Sequence, residues 1–155
     1  MSAEIAVDGA LPRAVCVSRA ELLRAAAFFA ARSEMRVRAS APWREVAVHL
    51  VDDRESARLN AAVMGHEGPT DVITQRYDPI PGEPEGLTGE LFVNTDCAAR
   101  EGARRAGAGW TPARELLLYV AHGMDHLSGA DDCDEAGYRA MRRRELSWLA
   151  AFARS

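Results

Sequence analysis

The sequence predicts an α+β fold: a single domain over residues 1–155, with a small mixed β-sheet of about four strands packed with about five helices. Three observations support this prediction. Amphipathic stretches with helical spacing alternate with short β-branched stretches along the chain. Two of the strand-like stretches lie close together, between residues 70 and 94, as the arms of a hairpin do. The chain is also long enough to bury one core of its own.

Local patterns place the elements of the first half. Ser18 and Glu21 form a capping box, which opens an amphipathic helix. Arg44–Val51 alternates apolar and polar positions, as a strand with one buried face does. Asp52 or Asp53 then provides the cap of a further helix. The elements expected here are a strand at Ala14–Val17, a helix of about fifteen residues after Ser18, a strand at Arg44–Val51 and a helix carrying Leu59, Ala62 and Val63.

The second half contains the hairpin and the most apolar helix. The stretch 78–86, DPIPGEPEG, is rich in proline and glycine and predicts a surface loop. Thr111-Pro112 is a strong helix start, and Gly129 suits the left-handed residue that follows a helix. The nearly continuous apolar run Leu116–Val120 indicates that this helix crosses the interior. The elements expected here are strands at Thr70–Tyr77 and Gly89–Asn94, and helices at about Cys97–Ala106, from Pro112 to Gly129 and after Asp134.

Composition narrows the function classes. No stretch approaches the roughly 20 apolar residues of a membrane span, and the N-terminus lacks the pattern of a signal peptide, so no membrane partner is expected. The three cysteines, Cys16, Cys97 and Cys133, show no paired pattern and favour reduced thiols in a cytoplasm. The net charge of −4 argues against a general nucleic-acid binder, although the 19 basic residues, all arginine, form local clusters.

Residues 122–132, HGMDHLSGADD, concentrate groups that can bind a metal. His122 and His126 are four positions apart, so they share one helix face and their imidazoles can reach one ion. Gly129 then turns the chain, so that Asp132 can fold back over that face. Three protein ligands with one free position for water are typical of a catalytic zinc site. Oxygen ligation also suits other divalent transition metals, such as manganese or iron.

The same stretch has a purely structural interpretation. Histidines near a helix C-terminus are favoured by the helix dipole, and acidic residues just beyond it are common. The third ligand is open among Asp131, Asp132 and Cys133. Gly123 stands where H-E-x-x-H proteases carry a glutamate base, so protease chemistry of that type lacks its base. Asp125 is a candidate base or acceptor for an imidazole N–H, or simply a polar residue at the helix edge.

Taken together, these motifs resemble the YbeY endoribonucleases, bacterial maturation factors of ribosomal RNA. The family signature is H-G-x-x-H-L-x-G-x-D-H, and the matching residues are His122, Gly123, His126, Leu127, Gly129 and Asp131. Further family stretches, L-N with P-T-D-V-L and G-D-I-V-I-S, are similar to Leu59-Asn60 with Pro69–Ile73, and to Gly89–Asn94. The final helix, with Met141 and Glu145 four apart, also fits the family.

The resemblance implies a small α+β fold with a metal ion, Zn²⁺, at the histidine cluster. It also implies cleavage of single-stranded RNA in ribosomal-RNA maturation and ribosome quality control, with ribosomal RNA and the ribosome as partners. Thr70 and Asp71 line the cleft by family analogy alone. The candidate metal ligands are therefore His122, His126 and Asp132, and the candidate catalytic residues are Asp131, Asp125, Thr70 and Asp71.

The sequence departs from the family pattern at several positions, including Thr74–Arg76 in place of S-F-P and Asp125 in place of a leucine, and two departures concern the expected site. The third histidine of the family falls on Asp132, and the arginine between L-N and P-T-D falls on Met64, which can neither hold a phosphate nor offset its charge. Arg76, which alternates in phase with Val72 and Thr74, is a candidate substitute. The hypotheses are therefore a slow metal-dependent nuclease, a non-catalytic RNA- or ribosome-binding relative with a structural metal site, and a metal hydrolase with another substrate.

Overall fold

The computed structural model describes residues 2–37 and 42–155. Within these two ranges the chain forms five α-helices and a four-stranded sheet that mixes parallel and antiparallel pairs, which confirms the predicted fold class. The elements are β1 (Glu4–Asp8), α1 (Arg19–Glu34), β2 (Trp43–Val51), α2 (Asp53–Leu59), β3 (Val72–Tyr77), β4 (Leu87–Asn94), α3 (Thr95–Arg104), α4 (Pro112–Leu127) and α5 (Glu135–Ala153).

The strand order in the sheet is β1-β2-β4-β3. The strands β1, β2 and β4 run parallel, while β3 is antiparallel to β4 with Val72 opposite Val93. This antiparallel pair is the predicted hairpin, and the stretch rich in proline and glycine forms its loop. Because β3 is the outer strand beside α4, the segment that leads into it lies next to the C-terminal half of that helix.

Helix α4 is the centre of the fold. It contacts α1, α3, α5, β3 and β4, and its residues Leu116–Ala121 are all buried, as the apolar run predicts. Helices α1 and α4 cover the sheet face that presents Val46, Val48 and Leu91. Within the described ranges, no helix combines the length and apolar character needed to cross a membrane.

Side-chain caps fix the starts of the helices, four of them at residues that the sequence predicts and one, Asn94, before the predicted start at about Cys97. In each case an oxygen of the capping side chain accepts a hydrogen bond from a backbone N–H three residues later, which satisfies a group that the helix itself leaves unpaired. The pairs are Ser18 with Glu21, Asp52 with Glu55, Asn94 with Cys97, Thr111 with Arg114 and Asp134 with Gly137. Of the two predicted caps of α2, Asp52 is therefore the correct one.

The strand predicted at Ala14–Val17 is wrong. Arg13–Val15 forms a single 3₁₀ turn, in which the Val15 N–H donates to the Pro12 carbonyl at 3.1 Å. Cys16 then adopts a left-handed conformation with φ of 55°, which no strand residue has. The first strand is instead β1, whose alternation of half-buried Ile5 and Val7 with exposed neighbours is a period-two signal.

The helix predicted to carry Leu59, Ala62 and Val63 changes character part of the way along. It is α-helical to Leu59 and then widens into a π-helical turn, Asn60–Met64, in which Val63 is 43% exposed instead of buried. The Asn60 side-chain amide donates to the Gly68 carbonyl at 2.9 Å. This hydrogen bond ties the loop after the turn to the helix and directs the chain toward α4.

Candidate metal centre

Close packing against the sheet fixes the helix that carries the two histidines. A Cβ atom at Gly123 would lie 2.6 Å from Leu91 Cδ2 and 3.2 Å from Val72 Cγ2, so a larger residue would force the Leu91 side chain to shift. The contact therefore disfavours a side chain such as the glutamate base of an H-E-x-x-H protease at this position. His122 is the residue before Gly123. Its side chain lies in the opening between α4 and α5, where it contacts Glu145 of α5.

The chain reverses after α4, as predicted. Gly129 has a φ of 99°, a left-handed value that favours glycine, and its N–H donates to the His126 carbonyl at 2.9 Å. The Ala130 N–H donates back to the Asp125 carbonyl at 3.2 Å. The reversal brings Asp132 over the face of α4 that carries both histidines.

Three side chains converge on one point. The two Nε2 atoms of His122 and His126 are 3.1 Å apart, and the Asp132 Oδ2 atom lies 3.8 Å and 3.5 Å from them, respectively. A tetrahedral ion at 2.0–2.1 Å from each ligand separates its ligand atoms by roughly 3.3–3.4 Å. The three observed distances bracket that value, so the donor set fits one divalent transition-metal ion.

The hydrogen bonds of the two Nδ1 atoms, which face away from the converging ligand atoms, also favour a metal ion at this point. His126 Nδ1 lies 3.2 Å from the Ala130 carbonyl, and His122 Nδ1 contacts a carboxylate oxygen of Glu145. Both partners only accept hydrogen bonds, so both Nδ1 atoms carry the proton. In the neutral imidazoles the two facing Nε2 atoms are then both lone-pair acceptors. Two lone pairs that face each other at 3.1 Å repel, and either a metal ion beside them or a proton on one of the rings relieves this repulsion.

Glu145 contacts His122 from α5, a contact that the local sequence patterns do not reveal. It is fully buried on α5, and it supports His122 from the side opposite the metal position. Burial by itself lowers the pKa of His122, but the hydrogen bond to Glu145 and the charges of Asp71 and Asp132 raise this pKa above its ordinary value. The same negative surroundings favour a bound cation.

The alternative third ligands lie outside this group. The exposed Asp131 accepts a hydrogen bond from the Cys133 N–H at 2.8 Å, and its contacts with Cys133 hold the pKa of its carboxyl below the usual range. Among the described residues, the ligand group consists of His122, His126 and Asp132, without Asp131 or Cys133. The position of Asp131 on the rim gives no direct support to its predicted catalytic role.

Asp125 occupies the interface between α4 and α5. Its carboxylate is fully buried, and its Oδ1 accepts a hydrogen bond from Arg144 Nε at 2.8 Å. Arg36 Nε lies 3.9 Å from the same oxygen. A side chain without access to solvent cannot contact an RNA strand, so this position supports a structural role for Asp125 rather than the predicted catalytic one.

Thr70 and Asp71 lie beside the metal position. The Thr70 carbonyl accepts hydrogen bonds from Ser56 and Asn94, which anchor it between α2 and β4. The Asp71 Oδ1 atom accepts from the Val72 N–H at 2.7 Å and from the Thr70 hydroxyl at 3.2 Å. Both residues line a cavity that reaches His122. The structure thus brings these two candidates to the centre.

Two cavities open on either side of the ligand group, and Thr70 lines both. The larger one, of about 370 Å³, extends from His122 along α4 toward α3 and is lined by Asp71, Tyr119, Arg105 and Arg142, among others. Cys97 lies in its wall with Sγ 3.4 Å from the Tyr119 hydroxyl. Burial raises the pKa values of both Cys97 and Tyr119, so both remain protonated.

The smaller cavity, of about 200 Å³, extends from His126 toward the π-helical turn and includes Met64, His66 and Val72 in its lining. Met64 is 51% exposed at its rim. Arg76 lies on the same side of β3 as Val72, as its alternation predicts, and its Nη1 donates to the Leu127 carbonyl at 3.2 Å. That hydrogen bond holds Arg76 at the end of α4.

Comparison with known proteins connects this arrangement to one family. The family model described as endoribonuclease YbeY matches residues 16–153. A Methylococcus capsulatus protein named endoribonuclease YbeY is 35% identical over 108 residues, which cover 70% of each chain. A Kineococcus radiotolerans protein of the same name is 38% identical over 132 residues, covering 78% of this chain and 72% of the relative.

A solved structure has the same fold. The solution structure of a Thermotoga maritima protein aligns with a TM-score of 0.54 at 23% sequence identity. The alignment covers 96% of this chain and 87% of the other. At this level of identity the likeness concerns the fold, and it agrees with the α+β architecture described above.

Proposed function

The chain belongs to the endoribonuclease YbeY family, and from this premise we propose that it is a metal-dependent endoribonuclease. Its substrate would be single-stranded RNA, cleaved in the cytoplasm during maturation of ribosomal RNA and in ribosome quality control. One observation carries the metal dependence: the two Nε2 atoms of His122 and His126 face each other at 3.1 Å with Asp132 beside them. This donor set suits Zn²⁺, and its carboxylate also accommodates Mn²⁺ or Fe²⁺.

The residues around the metal position have different roles in the proposed hydrolysis. A divalent ion held by the two histidines and Asp132 would supply Lewis acidity, which activates water and offsets charge on the phosphate. Glu145 and the Ala130 carbonyl orient the imidazoles. Asp71 Oδ2 is left to take the proton of the attacking water, because Oδ1 already accepts two hydrogen bonds and the described residues include no arginine partner of this carboxylate.

Met64 favours a second candidate function, in which the protein binds RNA or the ribosome without cutting RNA. Met64 gives the smaller cavity no fixed positive charge at the place where the family carries arginine. A relative that binds RNA or the ribosome without cutting it would keep the metal only for structure. A third candidate is a hydrolase of the same fold with a different substrate. It would keep the open metal site but would neither bind nor cut RNA.

Purified protein tests the proposal directly. We expect about one equivalent of a divalent transition metal per chain by elemental analysis, and cleavage of single-stranded but not double-stranded RNA. A chelator should stop cleavage, and added Zn²⁺ or Mn²⁺ should restore it. Metal-loaded protein that binds RNA without cutting it would favour the non-catalytic alternative. Protein that neither binds nor cuts RNA would favour a different substrate.

Met64→Arg is expected to raise kcat/KM on single-stranded RNA by up to about 10²–10³, since a positioned cation stabilises the charge that develops on the phosphate. The matched control is Val63→Arg, which adds the same charge on the same turn at a side chain outside the cavity lining. Arg76→Ala should change little, because Arg76 is already held by the Leu127 carbonyl. A wild type that cleaves briskly and gains nothing from Met64→Arg would contradict this prediction.

A further inference from the structure

Three consecutive arginines on α5 have three different surroundings. Arg142 lines the larger cavity together with the metal ligand His122. Arg143 is exposed, and Arg144 is directed into the α4–α5 interface, where it pairs with Asp125. Successive helix positions differ by about 100° around the axis, which explains the separation. The sequence alone presents the three residues as one basic cluster.

The side chain of Arg142 is held next to the metal centre. Its Nε lies 3.9 Å from Glu145 Oε2, while the other oxygen of Glu145 contacts His122. Its guanidinium carbon lies 5.7 Å from the ring centroid of Tyr138. Within residues 2–37 and 42–155, Glu145 is its one carboxylate partner within 4 Å, so most of its hydrogen-bonding capacity is free for a ligand.

The other charges of the cavity wall are largely compensated within the protein. The buried Glu115 pairs with Arg105 at 3.3 Å and also accepts a hydrogen bond from Trp110. Glu101 pairs with Arg104 at 2.6 Å. Asp71 remains as a negative group, together with Asp132 of the ligand group. The two charges of a divalent ion on that group would offset these two carboxylates, which leaves Arg142, with most of its N–H donors free, as the side chain of the wall that can bind an anion.

We propose that Arg142 binds a phosphate group of the RNA strand in the larger cavity, next to the metal, and stabilises the charge that develops there during cleavage. This inference rests on the proposed function and specifies which cation the chain uses. A phosphodiester of the strand would lie between Arg142 and the ligand group. The planar guanidinium suits bidentate contact with two phosphate oxygens.

The test compares Arg142→Gln with Arg143→Gln, two changes that remove the same charge from adjacent positions of one helix. Cleavage of single-stranded RNA gives kcat and KM, and fluorescence anisotropy with a phosphorothioate RNA oligonucleotide gives Kd. Metal content and thermal unfolding are measured for every variant. Arg142→Gln should lower kcat about 10²-fold and weaken oligonucleotide binding about tenfold, with metal content unchanged. Arg143→Gln should stay within about twofold of wild type in both kcat and the Kd for the oligonucleotide.

Arg142→Lys provides the second arm, since lysine keeps the charge without the bidentate geometry and should recover part of the loss. Equal behaviour of the glutamine variants in both assays would overturn the inference. Metal loss from both Arg142→Gln and Arg142→Lys would also overturn it, because Arg142 would then act through Glu145 on the metal. If the wild type cuts no RNA, the proposed function fails, and the difference in Kd between the glutamine variants still decides the role of Arg142.

Discussion

Replacing both His122 and His126 with alanine is expected to abolish metal binding and RNA cleavage together, while the protein stays folded. The two side chains supply two of the three ligand atoms, and Asp132 alone cannot hold a transition-metal ion tightly. The two rings meet edge to face in the opening beside α4, outside the main core, so the truncations leave that core intact. Elemental analysis, circular dichroism and the RNA assay measure the three outcomes.

Two single variants serve as controls for the ligand assignment. Asp131→Ala and Cys133→Ala should retain the full metal content, because neither residue belongs to the ligand group. Asp132→Ala should lower the metal affinity by at least about tenfold, as the loss of one ligand does. Unchanged metal content in the double histidine variant would refute the site, and loss of metal from Cys133→Ala would move the third ligand.

Arg144→Ala is expected to reduce the free energy of unfolding by about 3–5 kcal/mol, as breaking a buried ion pair from one side does. Among the residues that the structure describes, the change leaves the fully buried Asp125 with one arginine nearby, Arg36 at 3.9 Å. Urea denaturation at pH 7 measures the effect. Arg143→Ala, an exposed neighbour, should change the free energy of unfolding by less than about 0.5 kcal/mol.

A double variant separates the cost of a lone buried charge from the loss of packing. Asp125→Ala combined with Arg144→Ala should be more stable than Arg144→Ala alone, because it leaves no unpaired carboxylate in the interior. It should also cleave RNA at close to the wild-type rate where both proteins are folded. A double variant that is folded and metal-loaded but inactive would restore the catalytic role for Asp125.

Local chemistry explains why much of the fold was predictable. Capping pairs such as Ser18 with Glu21 are three residues apart, and the spacing of His122 and His126 is one helical turn, so short sequence windows contain the whole interaction. The missed strand β1 is only five residues long, and Val15 supplied a competing β-branched signal nearby.

The unpredicted parts of the site depend on contacts between distant segments. His122 and Glu145 are 23 residues apart, and no local periodicity links them. Arg142, Arg143 and Arg144 are chemically identical, and only the docking angle of α5 on α4 gives each a separate environment. Asp125 is a second example. Its position around α4 predicted a polar residue at the edge of the helix, whereas packing of α5 buries it completely.

The three candidate ligands lie on elements of different stability, which affects how a metal ion would exchange with solvent. His122 and His126 stand on the most buried helix of the fold, whose opening requires much of the core to come apart. Asp132 stands on a loop beyond Gly129, and such loops open at far lower free energy than buried helices. A bound ion would therefore enter and leave when the loop that carries Asp132 opens, while the two imidazoles stay in place on α4.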